Sequence, residues 1–380
     1  MIRYIFAALM ILHGLIHLMG FTKAFKYNET SGITGNISKP AGLLWLLSCF
    51  LFITSAFVFL LDKGSWWILA AMALLLSQIL VVIYWHDAKA GTVANIIIFL
   101  VALVSWAKWD FNKKVQQEIR QVMQQEDRAL RQIDHFKKNI VTEDMIKNLP
   151  TPVQRWLRNS GIMGREMIHS VHLKQKGWMR MAPDKKNWIE ATSEQYFTTD
   201  KPAFIWHVKM QMMPLVSVSG RDKFVDGKGQ MLIKAFSLVN IVNDEDEKID
   251  QGTLQRYLAE ICWFPSAALS PYIIWQPIDD STATAIMTYH GTKGSVTFYF
   301  NKLGDMVSCK ADRFKGSGPG ATLEKWVVNS TGFAVMNGIR MPVKSEATWQ
   351  LAEGDFTWYK LEITDIEYNI IENKQKIRHN

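Results

Sequence analysis

The sequence predicts two unlike parts: an α-helical four-span membrane bundle, and a mainly antiparallel β domain, a barrel or half-barrel, with one packed helix. Three observations predict it. Four apolar runs of 18 to 21 residues occupy residues 1–109. About ten segments of period-two alternation, separated by turn signals, fill the C-terminal half. Within that half the stretch QGTLQRYLAEICWFPSAAL, at 251–269, has helical spacing instead.

The four runs are Ile2 to Phe21, Ala41 to Leu61, Trp66 to Trp85 and Thr92 to Trp109. A helix needs about 20 residues to cross a bilayer, so each is long enough. Three comparable runs follow the first, and no small-x-small cleavage site follows it cleanly, which argues against a signal peptide. Trp45, Trp66, Trp67, Trp85, Trp106 and Trp109 gather near the ends of the runs, as an interfacial aromatic belt requires. The short connection Asp62 to Ser65 makes the second and third helices antiparallel neighbours. An even number of spans leaves both termini on one side. That side carries Arg3, Lys63, Lys108, Lys113, Lys114 and Arg120, against Lys23, Lys26, Lys39 and Lys89 on the other, which leans toward a cytoplasmic C-terminal domain.

Residues 110–149 read as an amphipathic helical linker. Val115, Ile119, Val122, Ala129, Ile133 and Phe136 follow a 4-3 spacing that Glu126 interrupts. Such a helix continues the fourth span. It would pack on its own domain, lie at the lipid surface, or pair two chains as a homodimer through 113–137.

The β-rich domain is placed at 150–372. Thr151-Pro152 opens a short helix, with Thr151 as N-cap, that stops at Gly161. Phe204, Trp206, Val208, Met210 and Met212 then alternate with Ile205, His207, Lys209 and Gln211, and Val296, Phe298 and Phe300 with Thr297, Tyr299 and Asn301. One strand is expected over 229–242, and others near 167–181, 187–198, 215–225, 282–290, 305–314, 322–330, 339–352 and 355–369. Turns at Pro183-Asp184, Asp226-Gly227, Gly291, Gly304-Asp305, Asn337-Gly338 and Glu353-Gly354 separate them. In the 251–269 stretch, Leu254, Leu258, Ile261 and Cys262 share a face to bury against the sheet, and Arg256 and Glu260 stand four apart to pair.

The chain has 380 residues and a net charge of +8. A basic excess beside membrane spans reflects topology and anionic lipid. There is no basic-aromatic RNA-binding signature and no zinc-finger spacing, so nucleic acid is not an expected partner. Three cysteines, Cys49, Cys262 and Cys309, do not make a disulfide framework and read as buried thiols.

Several residues invite chemistry. His13 and His17 share a face inside the first span, and His86 ends the third beside Asp87. Imidazoles facing a bundle interior suit haem ligation or a quinone hydrogen bond, or else they bridge helices. Glu260 sits among apolar residues beside Arg256 and Tyr257. It is either an acid of raised pKa or one half of a buried ion pair with Arg256 or Arg313. Asp244 to Glu247 with Asp250 reads as a solvated acidic loop without Ca²⁺-loop spacing. Gly316 to Gly320 lacks the Lys-Ser/Thr of a phosphate loop and reads as a hairpin loop or lid. His169, His172, His207 and His290 would need convergence in space to hold a metal.

The run PTPVQRWLRNSGIMG at 150–164, the strand with Trp188 and Ala191, RYLAEICWFPSAAL at 256–269 and EATW at 346–349 resemble a bacterial family of unknown function. In it a β-rich domain carries a motif close to RYLAE-x-x-W-x-P-x-A-L, which implies no activity. HGLIHLMGF at 13–21 resembles small four-helix membrane proteins of the DoxX-like kind. The strand-and-helix layout is similar to open barrels that carry lipoproteins or lipids, by fold analogy.

The leading expectation is a binding protein rather than an enzyme. The β domain would take a lipid or other amphiphile, with Arg256, Tyr257, Glu260, Trp263 and Trp206 at the site. The alternatives are a membrane redox protein holding haem or quinone at His13, His17 and His86, and a structural or signalling module.

Overall fold

The structure, a computed structural model, describes residues 1–27, 33–132, 139–213 and 216–370. The chain divides into two compact units, Met1–Lys113 and Lys114–Asn380.

The first unit is helical: α1 Ile2–Ile16, α2 Leu18–Ala24, α3 Lys39–Leu60, α4 Trp66–Ile83, the single turn α5 Trp85–Ala88, and the start of α6 Gly91–Gln132. Four helical segments, beginning at Ile2, Lys39, Trp66 and Gly91, are long and apolar enough to cross a membrane. Their outer faces expose Phe50, Phe57, Leu75 and Phe99, which suits lipid and not water. Arg3 donates to the carbonyls of Phe59 (2.9 Å) and Leu60 (2.7 Å), satisfying the last turn of α3. The α1–α2 break has a local cause. The His17 ring Nδ1 takes the His13 carbonyl at 2.8 Å, the acceptor that the His17 amide would use in a regular helix. The amide bonds Gly14 O instead, at 3.1 Å, and the ladder is interrupted.

α6 has 42 residues. It rises about 60 Å, roughly twice a hydrocarbon core. Its polar second half belongs to the other unit, where Val115, Ile119 and Val122 are buried in the chain itself. A dimer through this face would need it uncovered. Ile133 and Phe136 lie outside the described residues. Glu126, the interruption in the heptad, is buried and holds a turn. Its Oε1 accepts from the amides of Thr199 (3.0 Å) and Asp200 (2.8 Å), and its Oε2 from Lys201 (3.0 Å).

The second unit is a thirteen-stranded antiparallel half-barrel with a helix on it. Two short helices, α7 Glu143–Ile146 and α8 Thr151–Ser160, precede the sheet. In α8, Pro150 takes the N-cap position expected of Thr151, and Gly161 ends the helix at φ 77°, as its sequence implied. The strands are β1 Ser170–Met179, β2 Ile189–Thr198, β3 Ala203–Met213, β4 Val216–Val225, β5 Lys228–Ala235 and β6 Val239–Asp244. After the helix α9 Glu247–Glu260 come β7 Ile273–Asp279, β8 Thr282–Tyr289, β9 Thr292–Phe300, β10 Met306–Lys315, β11 Thr322–Met336, β12 Ile339–Leu351 and β13 Gly354–Tyr368. The spatial order runs β6 to β1, then β13 to β7. Two meanders therefore meet at the β1–β13 seam, and β6 and β7 are the edges.

Three expectations need correction. The single strand over 229–242 is a hairpin, β5–β6, turned at Phe236 and Ser237 with φ of 53° and 57°. Neither residue is a usual left-handed turn former, so the turn left no signal. β7 was not among the expected strands, and it carries Pro277. It is an edge strand, where proline is tolerated. The acidic run is a loop only at Glu245 and Asp246: Asp244 ends β6, and Glu247 and Asp250 belong to α9. Asp246 is its N-cap, accepting from Ile249 N at 2.8 Å, and Glu247 opens the first turn. Asp250 is buried and accepts from Gly229 N at 2.7 Å and Lys228 Nζ at 2.8 Å.

α9 links the two sheet edges and packs on β4, β5, β8, β9 and β10. Gly229 on β5 makes the close approach possible: a Cβ there would stand 2.3 Å from Thr253 Oγ1 and 2.6 Å from Ile249 O. Two 3-10 turns, Ile261–Trp263 and Pro265–Leu269, complete the segment. Apolar residues of α8, α9, these turns and the inner faces of the strands form one continuous core.

Candidate functional site

One side of α9 seals against aromatic core; the other borders a cavity of about 300 Å³. Arg256, Glu260, Trp263 and Trp206 line it. Tyr257 does not: it packs on Phe197, Phe224 and Phe264, and its hydroxyl donates to Thr198 O at 3.0 Å. Adjacent residues point about 100° apart on a helix, so Arg256 and Tyr257 cannot share a wall. Arg313 on β10, marked in sequence only as a possible partner of Glu260, also lines the cavity, as do Asp222 on β4, Gln175 on β1, Met306 on β10 and Trp326 on β11, which the sequence left unmarked. One signal was present. Arg313 stands in step with Cys309 and Ala311 on the inward face of β10.

The charged groups form a network. Arg256 Nη1 donates to Asp222 at 2.7 Å, and its Nε donates to Glu260 at 3.0 Å. Gln195 Nε2 donates to the second Glu260 oxygen at 2.7 Å. The guanidinium lies 4.6 Å above the Trp206 ring, whose own N–H donates to Gln175 at 3.2 Å. Burial pushes the Asp222 and Glu260 carboxyls up, against the pull of Arg256. Burial also works against the Arg256 charge, but Glu260 and Asp222 hold it above the usual arginine value. Of the two partners open to Glu260 in sequence, the ion pair falls to Arg256.

Trp263 N–H donates to Pro342 O at 3.0 Å, tying the turn after α9 to β12. Cys262 and Cys309 both line the cavity and are free, as is Cys49. Burial pushes the Cys309 thiol up to about 12 and Cys262 well above its ordinary value, so neither is a nucleophile at neutral pH.

The scattered histidines do not converge. His172 stacks on Tyr196 at 4.3 Å and faces Glu194 at 3.5 Å. His169 meets Asp200 at 2.6 Å, beside Glu126, and these three hold the one metal-ligand-type group among the described residues. Glu126 is committed to three backbone amides there. Burial lowers His169, but the hydrogen bond and charge of Asp200 outweigh it and leave the imidazole above its ordinary value.

In the first unit, His13 and His17 come together with Asn95, Ser77 and Gln78. His13 Nε2 meets Asn95 Oδ1 at 2.8 Å, Asn95 Nδ2 donates to Ser77 Oγ at 3.0 Å, and Ser77 meets His17 Nε2 at 2.9 Å. With neutral rings the directions are fixed. His17 Nδ1 must donate to a carbonyl, so its Nε2 accepts from Ser77; Asn95 Oδ1 accepts from His13. Both His17 nitrogens are thus engaged. His86 is exposed and bonds Asp87 at 3.0 Å, apart from this pair.

The model of a family of unknown function, DUF6544, matches residues 139–361, more than half of the chain and all of the cavity wall formed by α9. The chain belongs to the DUF6544 family. No curated protein matches it. What the DUF6544 region builds is therefore read from its own geometry: a walled apolar space with one ion-pair network and two inert thiols.

Proposed function

We propose that this protein is a membrane-anchored binder, and that the half-barrel cavity takes a lipid or another amphiphile. The observation that carries this is the cavity itself. Its volume falls at the lower end of the roughly 300–1,000 Å³ typical of ligand sites, and tryptophan and methionine walls surround a few fixed polar groups. Met231 and Met306 are adaptable partners for an acyl chain. Four apolar helices, one with a DoxX-like HGLIHLMGF stretch, supply the anchor. The full chain, purified in detergent and extracted for mass spectrometry, is expected to yield a stoichiometric amphiphile, and Ala347→Phe, which fills the cavity, is expected to lose it. Wild-type protein that is empty and takes up no added amphiphile would overturn the reading.

The excess of lysine and arginine on the terminal side supports a cytoplasmic β domain. A cysteine placed at exposed Lys185 should resist a membrane-impermeant thiol reagent in intact cells; rapid labelling would reverse the orientation.

A second reading has one observation behind it. A groove between α4 and α6, lined by Trp67, Leu75, Phe99 and Trp106, ends at Gln78, Thr92 and Asn95, next to the His13–His17 network. A quinone with its ring at Asn95 fits that chemistry. A quinone in the extract that is lost in Asn95→Leu would favour it; extract without quinone would remove it.

A further inference from the structure

Two guanidinium groups line the cavity, and its carboxylates are divided unequally between them. Arg256 holds both Asp222 and Glu260. Arg313 holds neither. Its Nε is buried without a hydrogen-bond partner, and no ion pair to it occurs among the described residues. Its neighbours are aromatic: the guanidinium carbon lies 4.8 Å from the Trp326 ring centre and 5.9 Å from that of Trp349. On its other flank is α9 at Gly252, where a Cβ would stand 3.1 Å from Arg313 Nε. Glycine inside a helix weakens it. Here it leaves the space that the guanidinium occupies.

A buried cation with no hydrogen-bonded partner is unfavourable: burial and the nearby Arg256 charge draw Arg313 down to about 10, against the pull of the Asp222 and Glu260 charges. It is still charged at neutral pH. Its planar donors match a carboxylate or phosphate, and the two aromatic rings hold the fork in place. Lys248 and Lys315 add positive charge to the same cavity beside Gly316. The acidic groups that face Arg313, Asp222 and Glu260, have their hydrogen bonds to Arg256 and Gln195.

We propose that Arg313 seats the anionic headgroup of a single-chain amphiphile ending in a carboxylate or a phosphate, its tail lying among the tryptophan, methionine and leucine side chains of the cavity. This rests on the amphiphile reading above and narrows it to one charge class.

The test titrates the full chain, in neutral detergent, with hexadecanoate, hexadecyl phosphate and hexadecanol by calorimetry. One or both anions are expected to bind about tenfold or more tightly than the alcohol, and the stronger anion identifies the headgroup. Arg313→Gln should remove that preference, bringing the anions to the affinity of hexadecanol for the same variant, while Arg313→Lys restores part of it. Gly252→Ala, which displaces the guanidinium without removing its charge, should also narrow the gap, and it serves if Arg313→Gln does not fold. Equal binding of the alcohol and both anions, or a preference that survives Arg313→Gln, overturns the inference and leaves the amphiphile reading standing. If none of the three chains binds, both fall together.

Discussion

Two of the polar networks that the protein buries close differently. In the helical unit, His13, Asn95, Ser77 and His17 form a ring of neutral hydrogen bonds in which each donor on the circuit has its acceptor. In the β unit, two carboxylates share one arginine and a second arginine is left over. The first arrangement asks for nothing more: it joins α1, α4 and α6 and can do so in lipid at no cost in charge. The second is incomplete, and it faces a cavity. Both networks carry groups that look catalytic in sequence, and what separates them is whether the donors have been used.

The largest effect should come from breaking the charged network at its centre. Arg256→Met leaves Asp222 and Glu260 buried without their cation, and is expected to cost about 3–5 kcal/mol in chemical denaturation of the β unit. A loss near zero would mean the two acids are already neutral, and the contrast between the networks would vanish. The neutral ring should be worth less. Asn95→Leu removes its central member and is expected to cost about 1 kcal/mol in detergent, without changing amphiphile binding to the cavity. If it did change that binding, the two networks would not be separate systems.

A smaller, pH-dependent effect should distinguish a third cluster from both. His169 is held above its ordinary value, so its contribution is fully present below about pH 6.5 and is lost as pH rises through its higher folded-state value. The stability gap between wild type and His169→Gln should therefore shrink on moving to alkaline pH. Growth of the gap would mean that Asp200, Glu126 and Glu166 do not stabilise the imidazolium. The smallest effect belongs to the outer face of the β10–β11 pair that carries Arg313. Lys325 and Asp312 pair at 2.7 Å, both more than half exposed, and Lys325→Ala should stay within about 0.5 kcal/mol by thermal denaturation.

Much of this architecture was legible because it depends on periodicity. The four apolar runs and the alternation around Phe204 and Phe298 report burial directly. The acidic run at Asp244 to Glu247 was misread because helix capping and solvation use the same residues; only the position of Ile249 N tells them apart. The turn at Phe236 and Ser237 was invisible because tertiary packing, not turn propensity, holds it: Ser237 meets Ser219 at 3.1 Å. At the site, Arg256 and Glu260 were found because they are four apart on one helix. Arg313 and Asp222 come from strands far along the chain, and no local spacing joins them to α9.

The β1–β13 seam sets the order in which this domain can be made. Most other neighbouring strands are joined by short turns and can zip as they leave the ribosome, but Val171 pairs with Tyr368, nearly two hundred residues later. The cavity draws Gln175 from β1 and Tyr359 and Leu361 from β13. The cavity wall is therefore complete only once the last strand, β13, has paired with the first.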